Sequence, residues 1–333
     1  MRRVHYREVE RFMSTLQQTQ NQKKTGVPGK SKSMPKPVRE IIRCKYLYLI
    51  FLIPFVYYIL FQYWPMYGIL ISFQDYNVVK GILGSPWVGL KHFEKFLLDP
   101  YFWKLVRNTL LINIYSLLWG FPAPIILAIL LNELKNEKFK KVIQNISYLP
   151  HFISTVVVCG MLVNFLSSDG MINQLVKVFT GTSIQFLMDP KYFRTIYVAS
   201  GIWQSVGWNS IIYLAALTGV DAEMYEAALI DGANRWHRIW YITLPSIAPT
   251  ISIMLIMNLG RLMNLGHEKI LLLYTGSTYE VADVISTYVY RRGLLGNDFS
   301  YATAVGLFQA IVGVILVTSA NQISKKLGET SLW

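Results

Sequence analysis

The chain has 333 residues, of which 53% are hydrophobic and 15% charged, against about 25% charged in a soluble domain. That deficit, together with long apolar blocks, excludes an ordinary soluble globular protein and points to one that crosses a membrane. The net charge of +13 is concentrated at the start, where residues 1–45 hold twelve Lys and Arg against Glu8, Glu10 and Glu40; a basic flank ahead of an apolar span fixes topology rather than binding nucleic acid.

Residues 1–44 read as a polar, disordered cytoplasmic tail rich in Gln, Lys, Ser and Pro. Within it VHYREVERFMSTL has the pattern of one amphipathic surface helix. The first apolar block, YLYLIFLIPFVYYILFQYW at 46–64, is too long and too far from the start for a cleaved signal peptide. Membrane-spanning helices are expected near 46–65, 108–132, 143–166, 196–218, 246–267 and 300–322, each about the 20 residues needed to cross hydrocarbon. Prolines at 54, 122, 124 and 150 do not veto these spans, because neighbouring helices can satisfy the freed backbone groups. Cys44 and Cys159 fall at different depths, so no disulfide framework follows and reduced thiols are expected.

Basic loops set the orientation. Lys135, Lys138, Lys140 and Lys141 lie between the second and third spans, and Lys325 and Lys326 follow the last. With the N-terminus inside, the inner segments are 1–45, 133–142, 219–245 and the tail after 323. About six helices with both ends in the cytoplasm satisfy the positive-inside pattern.

The inner stretch 225–245 reads YEAALIDGANRWHRIWYITLP, which is two water-facing helices between apolar spans. Asp221 can cap the first, with Glu223 in the first turn where the helix dipole favours acid. Met224, Ala227 and Ala228 fall at i, i+3 and i+4 and give one narrow apolar stripe. Gly232 permits a turn, Trp236, Ile239 and Trp240 repeat the spacing on a second helix, and Pro245 starts the return to the membrane. A low helix of small residues flanked by charge suits a groove on another protein. An interfacial helix packed under the bundle would show the same periodicity.

The stretch resembles the EAA loop of ABC importer permeases: Glu226, Ala227, Ala228, Gly232, Ile242, Leu244 and Pro245 stand at that family's spacing. The resemblance implies an all-α integral membrane protein, a six-helix type I importer permease with a transmembrane domain over 45–333. It also implies that 221–245, Asp231 included, carries a coupling helix that docks on a separate ATPase. WVGLKHFEKFLLDPYFWKLVRNTL at 87–110, YLPHFISTVVVCGMLVNFLSSDGMIN at 148–173, GWNSIIYLAAL at 207–217 and the terminal SLW are similar to the branch that contains polysaccharide and alginate importers. That branch implies a second homologous permease subunit, two ATP-binding subunits that hold ATP and Mg, an extracellular solute-binding protein and a carbohydrate substrate. The chain itself is then non-catalytic, needs no cofactor and resides in the bacterial cytoplasmic membrane.

No ATPase site is legible. GVPGKS at 26–31 places Lys24 where a P-loop needs its first Gly. The five histidines show no metal spacing, and His237 falls on the expected docking surface. Asn258, Arg261, Asn264 and Glu268 recur at steps of three, three and four, hence on one face of the 246–267 helix. A cation at membrane depth must be paired, wet or snorkelling, so Arg261 pairs with Glu268 or a neighbouring subunit, snorkels to the interface, or faces the path and meets an anionic sugar bidentately. On the 196–218 helix Trp203, Gln204, Trp208, Asn209 and Tyr213 offer the aromatic faces and polar groups that bind sugars; packing against neighbours is the competing use of both Trp. An ion-coupled transporter or a membrane-embedded enzyme would leave the EAA pattern unexplained.

Overall fold

A computed structural model of the chain describes residues 44–326 and residue 331. The basic segment 1–43, with the expected amphipathic helix and GVPGKS, lies outside the described residues, as does most of the terminal SLW. The chain divides into two units, 1–66 and 67–333. In the first unit helix α1, Lys45–Tyr58, contains Pro54 and passes into a π-turn at Ile59–Tyr63.

The second unit is helical throughout its long elements. In chain order these are α2 (Lys91–Leu97), α3 (Phe102–Gly120), α4 (Pro122–Asn132), α5 (Glu137–Tyr148), α6 (Thr155–Leu166), α7 (Met171–Thr180) and α8 (Pro190–Leu217). There follow α9 (Ala222–Ile230), α10 (Arg235–Arg238), α11 (Leu244–Gly260), α12 (His267–Leu273), α13 (Ile285–Val289) and α14 (Phe299–Lys326). Five starts are set by local side-chain chemistry. The side chains of Asn136, Ser154, Asp189, Asp221 and Asn234 each accept a backbone N–H from the first turn of the helix that follows, satisfying donors that no helical carbonyl can reach.

Among the described residues, five helical runs are long and apolar enough to cross a membrane: Lys45–Phe73, Phe102–Asn132, Thr155–Thr180, Arg235–Gly260 and Phe299–Lys326. α8 is 28 residues long but carries Gln204, Ser205, Asn209 and Ser210, which dilute its apolar character. The expected 143–166 span is not one helix. α5 ends in a 3-10 turn, Leu149–Phe152, because Pro150 cannot extend the ladder, and Ser154 then recaps α6. Gly207 of α8 packs on this kink: a Cβ there would run into the Ser147 carbonyl.

Three apolar clusters hold the second unit together. One joins Phe96, Phe102, Leu105, Tyr288 and Tyr301; a second joins Ile112, Cys159, Phe193 and Ile270; a third joins Ile125, Ile129, Tyr213, Leu217 and Ile247. The third lies where α4, α8 and α11 converge next to α9, so the segment that carries the EAA pattern is anchored to a packed core.

Candidate translocation cavity and coupling helix

The coupling segment forms as its residues dictate. Asp221 accepts the Glu223 N–H at 3.0 Å. At the other end Ala233 N donates to Ala228 O at 2.8 Å and Gly232 N to Leu229 O at 3.1 Å, a Schellman closure that requires a left-handed residue. Gly232 supplies it with φ +77. α9 has no buried residue: Glu226, Ala227 and Asp231 are exposed and Ala228 half-buried. Ile230 is 87% exposed, so the whole outer side of α9 is free for a partner.

The second water-facing helix differs from expectation. α10 runs without a break through a π-turn, Ile239–Thr243, into α11, so the helix that starts at Arg235 is the foot of a membrane span. Pro245 sits just past the π-turn, inside the continuous helix, where the widened turn accommodates a residue that cannot donate to the ladder, rather than at a corner. Ile242 and Leu244 are half-buried and Pro245 exposed, and Leu244 packs on the third cluster. Two side-chain contacts fasten the segment: Tyr225 Oη meets Thr243 Oγ1 at 3.0 Å, and Arg235 Nε lies 3.5 Å from Glu133 Oε2.

A cavity of about 480 Å³ opens between α3, α4, α8, α11 and the 261–269 turn. Asn209, Tyr213, Asn258, Arg261 and Asn264 line it, together with Gln204, Asn113, Ser116, Ser205, Tyr197 and Lys269. The shared helical face expected for Asn258, Arg261, Asn264 and Glu268 does not exist. α11 ends at Gly260, and Arg261 is its C-cap, with φ −95 and ψ 2. A turn closed by Arg261 N to Asn258 O at 3.0 Å and Asn264 N to Arg261 O at 2.8 Å carries three of the four side chains to the cavity. Glu268 is exposed and off its lining, and among the described residues Arg261 forms no ion pair with it.

Neither tryptophan lines the cavity. Trp208 stacks on His151 with ring centroids 4.5 Å apart and planes 3° from parallel, and meets Phe152 edge-on at 5.6 Å, so it braces α8 against the 149–152 turn. Trp203 is 46% exposed. Tyr213 is buried in the third cluster as well as touching the cavity.

The charge of the cavity is one-sided. Among the described residues Arg261 and Lys269 are its two charged lining groups and no carboxylate joins them. Lys269 Nζ donates to Tyr197 O at 2.9 Å and lies 4.6 Å from the Tyr197 ring centroid. One hydrogen bond to a carbonyl and a ring face leave ammonium hydrogens free for an anion.

The profile of binding-protein-dependent transport system inner membrane components matches residues 102–328. The chain belongs to that family. This permease is 47% identical over 295 residues to a polygalacturonan/rhamnogalacturonan transport system permease protein, YteP, of Bacillus subtilis strain 168, covering 88% of this chain and 92% of the relative. It is 45% identical over 292 residues to Protein LplB of the same strain, covering 87% and 92%. A chain in the crystal structure of a bacterial ABC transporter involved in the import of the acidic polysaccharide alginate superposes with a TM-score of 0.80 at 41% identity, over 88% of this permease and 99% of that chain. The same values hold for that alginate transporter in complex with an alginate pentasaccharide-bound periplasmic protein.

The permease therefore has the type I importer fold and is a non-catalytic membrane component of an ABC importer that works with a solute-binding protein. Sequence reasoning missed Lys269, Ser116, Ser205 and Asn113 as lining residues. Lys269 follows Glu268 in sequence, and the fold returns it to Tyr197.

Proposed function

We propose that this permease forms half of the translocation path of an importer for acidic, uronate-containing oligosaccharides. The observation that carries the reading is the cavity with two cations, several amides and hydroxyls, and no acid on its lining. A neutral sugar needs the amides and hydroxyls alone. A carboxylate gives Arg261 and Lys269 the counter-charge that the protein withholds, and a guanidinium can hold it through two parallel hydrogen bonds. One relative is named for polygalacturonan/rhamnogalacturonan transport, and the structural neighbour is involved in import of the acidic polysaccharide alginate.

In this reading a second homologous permease completes the path, and two ATPase subunits sit beneath and bind the ATP and Mg. The N- and C-termini lie in the cytoplasm, with Lys138, Lys140, Lys141, Lys325 and Lys326 on that side. α9 docks on an ATPase, and Glu226, Ala227, Ala228, Asp231 and Gly232 form the contact. ATP-driven closure below is transmitted through Tyr225, Thr243 and the unbroken Arg235–Gly260 helix to Asn258 and Arg261 at the cavity, which gives alternating access.

The test is ATPase activity of the complete complex in liposomes with its binding protein and a panel of acidic and neutral oligosaccharides. Stimulation by the acidic members that Arg261→Ala abolishes supports the reading. Equal stimulation by neutral sugars, untouched by Arg261→Ala, overturns it.

A further inference from the structure

A second basic cluster lies at the end of α8 away from the coupling helix. Arg194 stands one turn before Tyr197 and Val198, which line the cavity, and residues three and four apart share a helix face. It is about 35 Å of helix from the Leu217 end, at 1.5 Å per residue. Its guanidinium is held in place: Nη2 donates to Asn108 Oδ1 at 3.0 Å. Asn108 in turn donates from Nδ2 to the carbonyls of Glu280 at 2.7 Å and Asp283 at 3.0 Å, and is itself 2% exposed.

Two acidic residues approach this bridge through their backbones. Glu280 and Asp283 turn backbone oxygens toward Asn108. The Asp283 carboxylate is taken by Arg291, at 2.9 and 2.8 Å, and by Thr287 at 2.7 Å. Arg194 Nε is buried without a partner. A second cation, Arg107, directly precedes Asn108 on α3 and is exposed. Among the described residues neither arginine forms an ion pair. Arg194, half-buried and with an Nε that has no partner, has lost hydration that no protein carboxylate replaces, and an anion would restore it.

We infer that Arg107 and Arg194 form an anion-receiving station at the outer mouth of the path, which takes a carboxylate of the incoming chain before Arg261 and Lys269 do. The inference rests on the acidic-oligosaccharide reading above. The Asn108 bridge to two carbonyls fixes Arg194 in advance, so little side-chain freedom is lost on binding, and planar guanidinium groups match a carboxylate. With Lys269 and Arg261 further in, the path presents cations in series along the 190–217 helix, so a chain with an acid on successive sugars keeps a counter-charge as it advances.

The test uses the full complex in liposomes with its binding protein, loaded with an acidic oligosaccharide or with the same oligosaccharide after carboxyl reduction. Arg194→Gln and Arg107→Gln are expected to raise the concentration of acid-loaded binding protein that half-stimulates ATPase by about tenfold, the scale of one charge-assisted contact. Carboxyl-reduced ligand should show less than a twofold effect, and Arg194→Lys should recover most of the loss. The gap between the two ligands should narrow as salt is raised. Three results overturn the station: equal losses with both ligands; loss of the second permease subunit on purification, which would make these arginines an inter-subunit ion pair; or a normal response in both Gln variants. In the last case a concurrent loss in Arg261→Ala leaves the cavity reading standing, whereas a wild-type complex deaf to acidic ligands removes both.

Discussion

Tyr225 and Thr243 meet hydroxyl to hydroxyl at 3.0 Å, and that contact joins the exposed α9 to the foot of the helix that ends beside Arg261. Thr243 is 1% exposed and also lies 3.3 Å from the Arg238 carbonyl, so the junction is fixed on the core side and free on the α9 side. Thr243→Val keeps the shape and removes the hydroxyl. It should cost about 1 kcal/mol of local stability and loosen the link between ATP hydrolysis and transport. Sugar moved per ATP hydrolysed is expected to fall while ATPase activity persists. An unchanged ratio would detach this contact from coupling.

Gly232 offers a test that involves backbone alone. A Cβ at this position meets nothing within 4 Å, yet φ is +77. Gly232→Ala should therefore act through left-handed strain of about 1 kcal/mol, and Gly232→Asn, which tolerates that region, should be milder. Uptake should rank wild type, then Asn, then Ala, with equal insertion in the membrane. The ranking reversed would mean that the surface of α9, and not its closing turn, sets coupling.

These two positions also show what was legible in the sequence. Asp221, Gly232 and the Glu226–Ala228 run act locally, through caps, turns and exposure, and local chemistry is written in order along the chain. The continuity of Arg235–Gly260 was hidden, because its charges and Pro245 look like a boundary and the π-turn that carries the helix past them has no local signature. The cavity was half legible. Asn209, Asn258, Arg261 and Asn264 were picked out as polar groups at membrane depth, but the reason offered for the last three, one helical face, fails where α11 ends at Gly260. Trp208 stacks on His151 and is off the cavity lining, and an aromatic in a membrane helix reads alike in sequence in either setting. Lys269 needed the tertiary return to Tyr197.

Trp208→Ala separates packing from binding. The ring stacks on His151 and abuts Phe152, away from the cavity. Its loss should lower the thermal midpoint of the complex by removing a contact of about 1 kcal/mol beyond area burial, with the preference for acidic over neutral sugar unchanged. Asn209→Leu, on the cavity lining, should leave the midpoint nearly unmoved and weaken stimulation by sugar. A changed preference in Trp208→Ala would return this residue to the path.

Gly207 reports on the kink of the third span. Any side chain here would strike the Ser147 backbone, which a rotamer change cannot relieve. Gly207→Ala should destabilise by about 1–3 kcal/mol through overpacking, read as a lower detergent melting temperature. Gly201→Ala, whose Cβ would lie 3.4 Å from the mobile end of Lys269, should be tolerated far better.

Asp99 sets an acid limit on the loop that leads into α3. Burial alone would raise its pKa, but hydrogen bonds from Tyr288 at 2.6 Å, the Tyr101 N–H at 2.9 Å and Tyr301 at 3.0 Å outweigh that and hold it below the ordinary carboxylate value. A folded-state pKa below the unfolded one means that the unfolded loop binds the proton more readily. The stabilisation is therefore complete above the unfolded pKa of about 3.9 and is lost as pH falls through the depressed folded value. Hydrogen exchange of the 98–102 amides should stay slow from neutral pH down to about 4 and speed up below it once the intrinsic pH dependence is divided out. Asp99→Asn should show faster exchange at neutral pH and no further acid step. An acid step of the same size in Asp99→Asn would assign the transition to another carboxylate.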